Sequence, residues 1–351
     1  MELRFPAKVI KGVGGIYEIR LSKESADELR SLGIEPDRED RLCCKARGVF
    51  RHERVTLLAG DNVTVRIDAE LMLADMNGSG KKDAQREKQR SEARAGVMIE
   101  EILERKDELI RPPMANLDRL FVVFAATKPE PSLTTVDKLV TIAEYKKIEP
   151  VIVVTKADLA PDDAERYAGI YKKCGFDVFV EGIGFDKSGI EDYLRSCRND
   201  TSAFAGASGV GKSTLMNRLF PELRLATGEV SEKTLHGRHT TRQIELFPLD
   251  RQLGEDAGGY LADTPGFGML DFAEFDFYGK DDLPYVFREF EPYIGRCRYT
   301  KCTHTKEEGC ALLEAVRNGD IPAERHQSYL ELYEILKSKP NYKAHKPNGK
   351  K

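Results

Sequence analysis

Gly206-Ala207-Ser208-Gly209-Val210-Gly211-Lys212-Ser213 matches G-x-x-x-x-G-K-[ST] at every position, with Thr214 beside it. The glycines let backbone N–H groups converge on phosphate oxygens with no Cβ in the way. Lys212 can bridge β- and γ-phosphates, and the Ser213 hydroxyl can ligate Mg²⁺. Residues 202–205 read as a strand leading in, and 215–219 as a helix leading out. That helix points its positive end at the anion. A flexible glycine loop before an ordinary helix is the bland reading, and the strand–loop–helix context disfavours it.

Two further elements flank this loop. Downstream, Asp263-Thr264-Pro265-Gly266 follows an apolar strand. Asp263 is expected to hold Mg²⁺ through water, and the Gly266 N–H to meet the γ-phosphate. Alone, D-x-P-G is a common turn; its place at a strand end after the phosphate loop gives it weight. Upstream, Thr155-Lys156-Ala157-Asp158 ends the apolar run 150–155 and resembles N-K-x-D. Asp158 can accept the two N–H groups of the guanine edge, which adenine cannot offer. A buried carboxylate left unpaired is costly, so such a site discriminates strongly. Lys156 would lie along the base. Thr155 in place of Asn is expected to weaken one hydrogen bond rather than abolish guanine preference, on the order of 1 kcal/mol net. An ATPase is disfavoured by Asp158.

The order of these elements is unusual. In an ordinary GTPase the phosphate loop precedes the guanine-reading motif; here Asp158 precedes Lys212. Both loops fall at strand C-terminal ends, where open α/β sheets bind ligands. Rearranged connections can keep that constellation, so a circularly permuted GTPase is predicted. Between the phosphate loop and the D-T-P-G turn lies Gly237-Arg238-His239-Thr240-Thr241. Thr240 or Thr241 is the expected switch ligand for Mg²⁺ and γ-phosphate, and the motif does not choose between them. Phe267 follows D-T-P-G where many GTPases carry a water-orienting glutamine, and phenylalanine cannot do that work. His239 is a candidate for that role, against the bland reading of a structural histidine.

At 351 residues, two or three domains are expected. With 40% hydrophobic and 32% charged residues the composition is that of an ordinary soluble protein. No run has the length and apolarity of a membrane span, and the N-terminus lacks a signal-peptide core, so a cytoplasmic location is expected. Residues 1–104 read as five short strands broken by turns, including 62–73 and 96–103, which suits a small barrel. From 120 on, apolar runs alternate with helical patterns at 136–147 and 164–174, the signature of a mostly parallel α/β sheet. Past 283 the chain is helical and polar.

A net charge of −4 does not advertise nucleic-acid binding, but cations cluster locally. Residues 75–95 carry Lys81, Lys82, Arg86, Lys88, Arg90 and Arg94 against Asp83, Glu87 and Glu92, and the last residues are lysine-rich. Such runs are usually solvated faces or tails. Cys297, Cys302, His304 and Cys310 form C-x4-C-x-H-x5-C, which matches a closed Cys3His structural zinc site; buried unliganded cysteines are the alternative. Such a site contributes roughly 10–16 kcal/mol in small peptides. Cys43, Cys44, Cys174 and Cys197 are scattered and read as packing residues.

Taken together, these residues resemble the bacterial small-ribosomal-subunit biogenesis GTPases, the RsgA or YjeQ family. Beyond the permuted motifs, the matching pieces are Gly12–Tyr17 with Ala46-Arg47-Gly48 and Gly60-Asp61-Asn62-Val63, then Arg111-Pro112 with Asn116-Leu117-Asp118, and the cysteine–histidine set followed by Ala311. The resemblance covers nearly the whole chain. It implies a multidomain α/β protein: an OB-fold over 1–104 with the basic insertion 75–95, a permuted GTPase domain over 111–275, and a helical zinc-binding domain with a basic tail over 283–351. It further implies one structural zinc, Mg²⁺ with GTP, and a monomer that binds the small subunit and its 16S rRNA, is stimulated to hydrolyse GTP, and leaves. On an OB-fold the insertion falls between the fourth and fifth strands, a loop often used for oligonucleotides. Three departures stand out: Thr155 for Asn, no recognisable S-A element near 181–185, and Glu307-Glu308-Gly309 for Glu-Pro-Gly. A GTP-regulated RNA-binding protein with incidental hydrolysis is the competing reading.

Overall fold

A computed structural model of the chain describes residues 1–37, 39–52, 55–78, 96–110, 113–185, 188–221, 244–254, 257–263 and 278–338. In chain order the elements are β1 (Glu2–Val13), β2 (Ile16–Leu21), α1 (Lys23–Ser31), β3 (Arg41–Ala46), α2 (Val49–His52), β4 (Asn62–Asp68), α3 (Ala69–Gly78) and β5 (Val97–Ile102). There follow β6 (Glu108–Ile110), β7 (Pro113–Ala115), β8 (Arg119–Ala125), α4 (Leu133–Tyr145), β9 (Glu149–Thr155), α5 (Pro161–Lys173) and β10 (Asp177–Val180). Then come α6 (Ser188–Ser196), β11 (Thr201–Ala205), α7 (Lys212–Leu219), β12 (Glu245–Pro248), α8 (Asp250–Leu253), β13 (Tyr260–Asp263), α9 (Ala311–Arg317) and α10 (Ala323–Ser338). Two 3-10 turns, Leu283–Val286 and Arg288–Tyr293, precede α9. Among the described residues no helix is long and apolar enough to cross a membrane.

Two compact units divide the chain, one of Met1–Asp118, Leu194–Ala203 and Ser231–Gly266, the other of Arg119–Tyr193, Phe204–Val230 and Phe267–Lys351. The first contains a closed barrel of order β1-β2-β3-β5-β4. Strand alternation builds its core: Val63, Val65 and Ile67 are fully buried while Asn62, Thr64 and Arg66 between them are not. The barrel closes through a parallel pairing of β3 with β5, at Lys45↔Met98 and Ala46↔Ile99. The strand expected over 62–73 stops at Asp68, because Asp68 Oδ1 accepts from Glu70 N (3.1 Å) and Leu71 N (3.4 Å) and starts α3 instead. The basic residues 79–95 lie between β4 and β5 in the chain and outside the described residues, as do residues 339–351 of the tail.

The motif pieces around Gly60 and Asn116 lock one another within this unit. Asn116 Nδ2 donates to the Gly60 carbonyl at 2.9 Å, and its Oδ1 accepts from Lys106 N at 2.9 Å. Asp61, fully buried, takes a bidentate bond from Arg105 (2.7 and 2.9 Å) and a third from Leu58 N (2.8 Å). Asp118 Oδ2 accepts from Thr201 N at 2.9 Å, which seats the start of β11. Asp61, Asn116 and Asp118 thus spend their polar atoms on holding backbone and one another's loops.

In the second unit β9 lies between β10 and β8, and in the first β13 lies between β11 and β12. β10 with β9, β9 with β8 and β11 with β13 run parallel, and β12 runs antiparallel to β13. β8 and β9 are buried almost end to end, as strands covered on both faces must be. In the second unit, α4 is N-capped by Ser132, whose side chain accepts from Thr135 N at 3.3 Å. α10 lies against α4 through a buried polar knot. There Arg325 donates to Glu289 (2.7 and 3.2 Å) and to Asp137, and Tyr171 OH donates to Asp137 at 2.8 Å.

Candidate nucleotide-binding site

β11 ends at Ala205, and the chain turns through the glycine-rich loop into α7. Gly206 takes φ +152°, and a Cβ there would lie 2.0 Å from the Val123 carbonyl oxygen. Only glycine lets the loop leave the sheet this close to β8. Lys212 Nζ donates to the carbonyls of Gly206 and Ala207, both at 2.7 Å, so the loop wraps its own ammonium. Burial lowers the Lys212 pKa, since desolvation disfavours its charge. Ser213 and Thr214 lie in the first turn of α7, where backbone N–H groups have no intrahelical partner.

The T-K-A-D residues end β9 in the same unit. Thr155 is buried, and its Oγ1 lies 2.5 Å from the Val210 carbonyl and 3.2 Å from that of Phe124. A hydroxyl has one proton, and the shorter contact to Val210 takes it. Val210 belongs to the phosphate loop. Thr155, expected only to weaken a hydrogen bond, therefore ties the upstream loop to the phosphate loop. Lys156 takes φ +57° and its ammonium reaches the Lys128 carbonyl. Ala157 N donates to the Glu181 carbonyl at 3.1 Å.

Asp158 meets a segment that carries no recognisable motif. Its Oδ1 accepts from Ile183 N at 3.0 Å, and a Cβ at Gly182 would fall 2.6 Å from that same oxygen. Within residues 181–185, Glu-Gly-Ile-Gly-Phe, the Ile183 N–H and the bare Cα of Gly182 thus meet the carboxylate. Arg218 of α7 donates Nη1 to the Gly182 carbonyl at 2.8 Å and pairs with Glu181. The two glycines after a strand are the only local signal of this contact. Asp263 is the last residue of β13. Gly266, His239, Thr240 and Thr241 lie outside the described residues.

In the second unit the ligand atoms of Cys297, Cys302, His304 and Cys310 lie within 4.8 Å of one another. Cys297 Sγ and Cys310 Sγ are 3.7 Å apart, and each is 3.5 Å from His304 Nδ1. A tetrahedral zinc with Zn–S of about 2.3 Å and Zn–N of about 2.0 Å requires such separations. The donor set therefore fits one structural zinc. The surrounding turn is held independently: Glu307 accepts from Thr303 N (2.7 Å), Thr305 N (3.0 Å) and Lys306 N (3.1 Å). Burial would raise the Glu307 carboxyl, but the Thr303 hydroxyl first, and then backbone N–H donors including those of Thr303 and Lys306, lower it to about 2. His326 Nε2 donates to the His304 carbonyl at 2.9 Å and Tyr329 OH to that of Thr303 at 2.6 Å, which seats the cluster on α10. Cys43, Cys44, Cys174 and Cys197 are not members of this set, and Cys44, Cys174 and Cys197 are buried.

A family model described as RsgA GTPase matches residues 102–273. The small ribosomal subunit biogenesis GTPase RsgA of Alkaliphilus metalliredigens is 35% identical over 336 residues, covering 95% of this chain and 99% of that protein. Among solved structures, that of YloQ, described as a circularly permuted GTPase, is similar with a TM-score of 0.69 at 29% identity, over 97% of this chain and 98% of that one. YjeQ from Thermotoga maritima gives a TM-score of 0.70 at 26% identity, over 96% and 100%. With its guanine-type loop upstream of its phosphate loop and both in one unit, the chain belongs to the RsgA family of circularly permuted GTPases.

Proposed function

We propose that this protein acts in late maturation of the small ribosomal subunit, binding the subunit in its GTP state and leaving after subunit-stimulated hydrolysis. The observation that carries the nucleotide reading is the Thr155–Val210 hydrogen bond, which joins a guanine-type loop to a phosphate loop in one unit. The near end-to-end match to subunit-biogenesis GTPases supplies the partner.

In this reading Lys212 meets the β- and γ-phosphates, and the backbone N–H groups of residues 206–214 receive the remaining phosphate oxygens. Asp158 reads the guanine edge, with Thr155, Lys156 and Ala157 shaping that loop. Ser213 and Asp263 would hold Mg²⁺, which neutralises phosphate charge when bound. Gly266 and one of Thr240 and Thr241 would respond to the γ-phosphate, and His239 would orient the attacking water. The barrel of residues 1–104 with the insertion 75–95 would contact 16S rRNA, followed by the GTPase domain over 111–275 and the zinc domain over 283–351. The protein would work as a cytoplasmic monomer.

Turnover of GTP with and without small subunits tests the proposal. Stimulation by the subunit that is lost in Lys212→Ala is expected; equal turnover in both conditions would instead support a GTP-regulated RNA-binding protein with incidental hydrolysis. Asp158→Asn should shift preference from guanine to xanthine nucleotides, and unchanged guanine preference would refute the role of Asp158.

A further inference from the structure

α7 starts at the phosphate loop and carries Arg218 in its last turn. The Arg218 side chain is 31% exposed and pairs with Glu181, whose side chain is 5% exposed. Glu181 is itself fixed by backbone on both sides: its N donates to Val154 O at 2.7 Å, and its O accepts from Ala157 N at 3.1 Å. The second contact of Arg218 is the more telling one. Nη1 donates to the Gly182 carbonyl at 2.8 Å, while Ile183 N donates to Asp158 Oδ1 at 3.0 Å. That carbonyl and that N–H are the two ends of one peptide group, which is planar and cannot turn one end without the other. Holding the carbonyl therefore aims the N–H, and a cation on the carbonyl also polarises the group and strengthens its donor end.

We propose that Arg218 and Glu181 are positioning residues for base selection: they lock the 182–183 peptide, which in turn fixes the Asp158 carboxylate toward the guanine edge. The inference rests on the guanine reading of Asp158. A pair that merely anchored the C-terminal end of α7 would need the Glu181 charge and not the Gly182 carbonyl. Because α7 begins where the phosphates bind, the same side chain links the base-reading segment to the phosphate loop by a second route, separate from Thr155.

Guanine and hypoxanthine share N1–H and differ only in the 2-amino group, so the ratio of GDP to IDP affinity reads the Asp158 hydrogen bond to that amino group. The test is that ratio, measured by titration calorimetry on the full-length zinc-loaded protein. Arg218→Gln should lower it about tenfold, the size of one charge-assisted hydrogen bond. In an Asp158→Asn background the same change should leave the ratio unmoved, since the oriented group is gone. If Arg218→Gln alone misfolds by stranding a buried Glu181, the double variant with Glu181→Gln removes both charges and carries the same expectation. Equal weakening of GDP and IDP, or no change, overturns the positioning role. A wild-type protein that binds GDP and IDP alike overturns the guanine reading itself, and this inference with it.

Discussion

Replacing Arg325 by methionine should unfold the second unit more readily than any conservative change around it. The guanidinium is 1% exposed, and it pairs with Glu289 and with Asp137, which are themselves 6% and 1% exposed. It also lies 4.6 Å from the Phe287 ring centroid, 5.4 Å from that of Phe176 and 5.6 Å from that of Tyr171. Methionine fills much of the volume but leaves two carboxylates in a dry site without their cation. Removing one partner of a buried pair costs about 3–5 kcal/mol, and two orphaned acids place this change at the upper end. At roughly 2–4 °C per kcal/mol for a unit of this size, the unfolding midpoint should fall by roughly 10–20 °C. Asp137→Asn is the contrast. It keeps the volume and a partner for Tyr171 OH, and Arg325 keeps Glu289, so about 1–3 kcal/mol is expected. Scanning calorimetry of the zinc-loaded protein gives both numbers. A loss below about 1 kcal/mol for Arg325→Met, or a larger loss for Asp137→Asn, would refute the view that this knot joins α10 to α4.

Three other outcomes follow from the geometry. Thr155→Val removes the Oγ1 bond to Val210 at constant shape and should weaken GDP binding by about tenfold, whereas Thr155→Asn should restore most of it; calorimetric titration checks both. Stripping zinc with a strong chelator, or Cys302→Ala, should speed hydrogen exchange in the turn at residues 297–310, leaving it to the Glu307 bonds, while α10, tied to α4 by Arg325, and the barrel strands stay protected. Deleting residues 79–94 removes six cations and should weaken small-subunit binding and flatten its dependence on salt, as seen by sedimentation across a salt series; unchanged affinity and slope would exclude the insertion as an RNA contact.

The parts of the site written in contiguous side chains are legible in the sequence alone. The glycines and Lys212 of the phosphate loop constrain backbone locally, and the four zinc ligands sit within one short stretch, so spacing alone reports them. The barrel is legible for a similar reason, since inward and outward residues alternate along β4. Where a local cap overrides the alternation, at Asp68, the expected strand runs too long. The support around Asp158 leaves no such trace, because it is made by a backbone N–H and by Arg218, far along the chain. The knot of Asp137, Glu289 and Arg325 leaves no local pattern either, because each member sits on a different element and looks in sequence like an ordinary surface charge. Thr155 reads as a deficit because a motif records which residue is usual, not which carbonyl its side chain must reach.

The Thr155–Val210 bond has a thermodynamic consequence. In the proposed reading, one end of the nucleotide would be read by a loop that is hydrogen-bonded to the loop holding the other end. Ordering either loop lowers the cost of ordering its neighbour, so the free energies of the two ends of the ligand do not simply add. A guanosine fragment and a pyrophosphate fragment, offered together, should each bind more tightly than either does alone, and by reciprocal amounts. The hydroxyl of a single threonine would then let the protein sense whether base and phosphates arrive as one molecule.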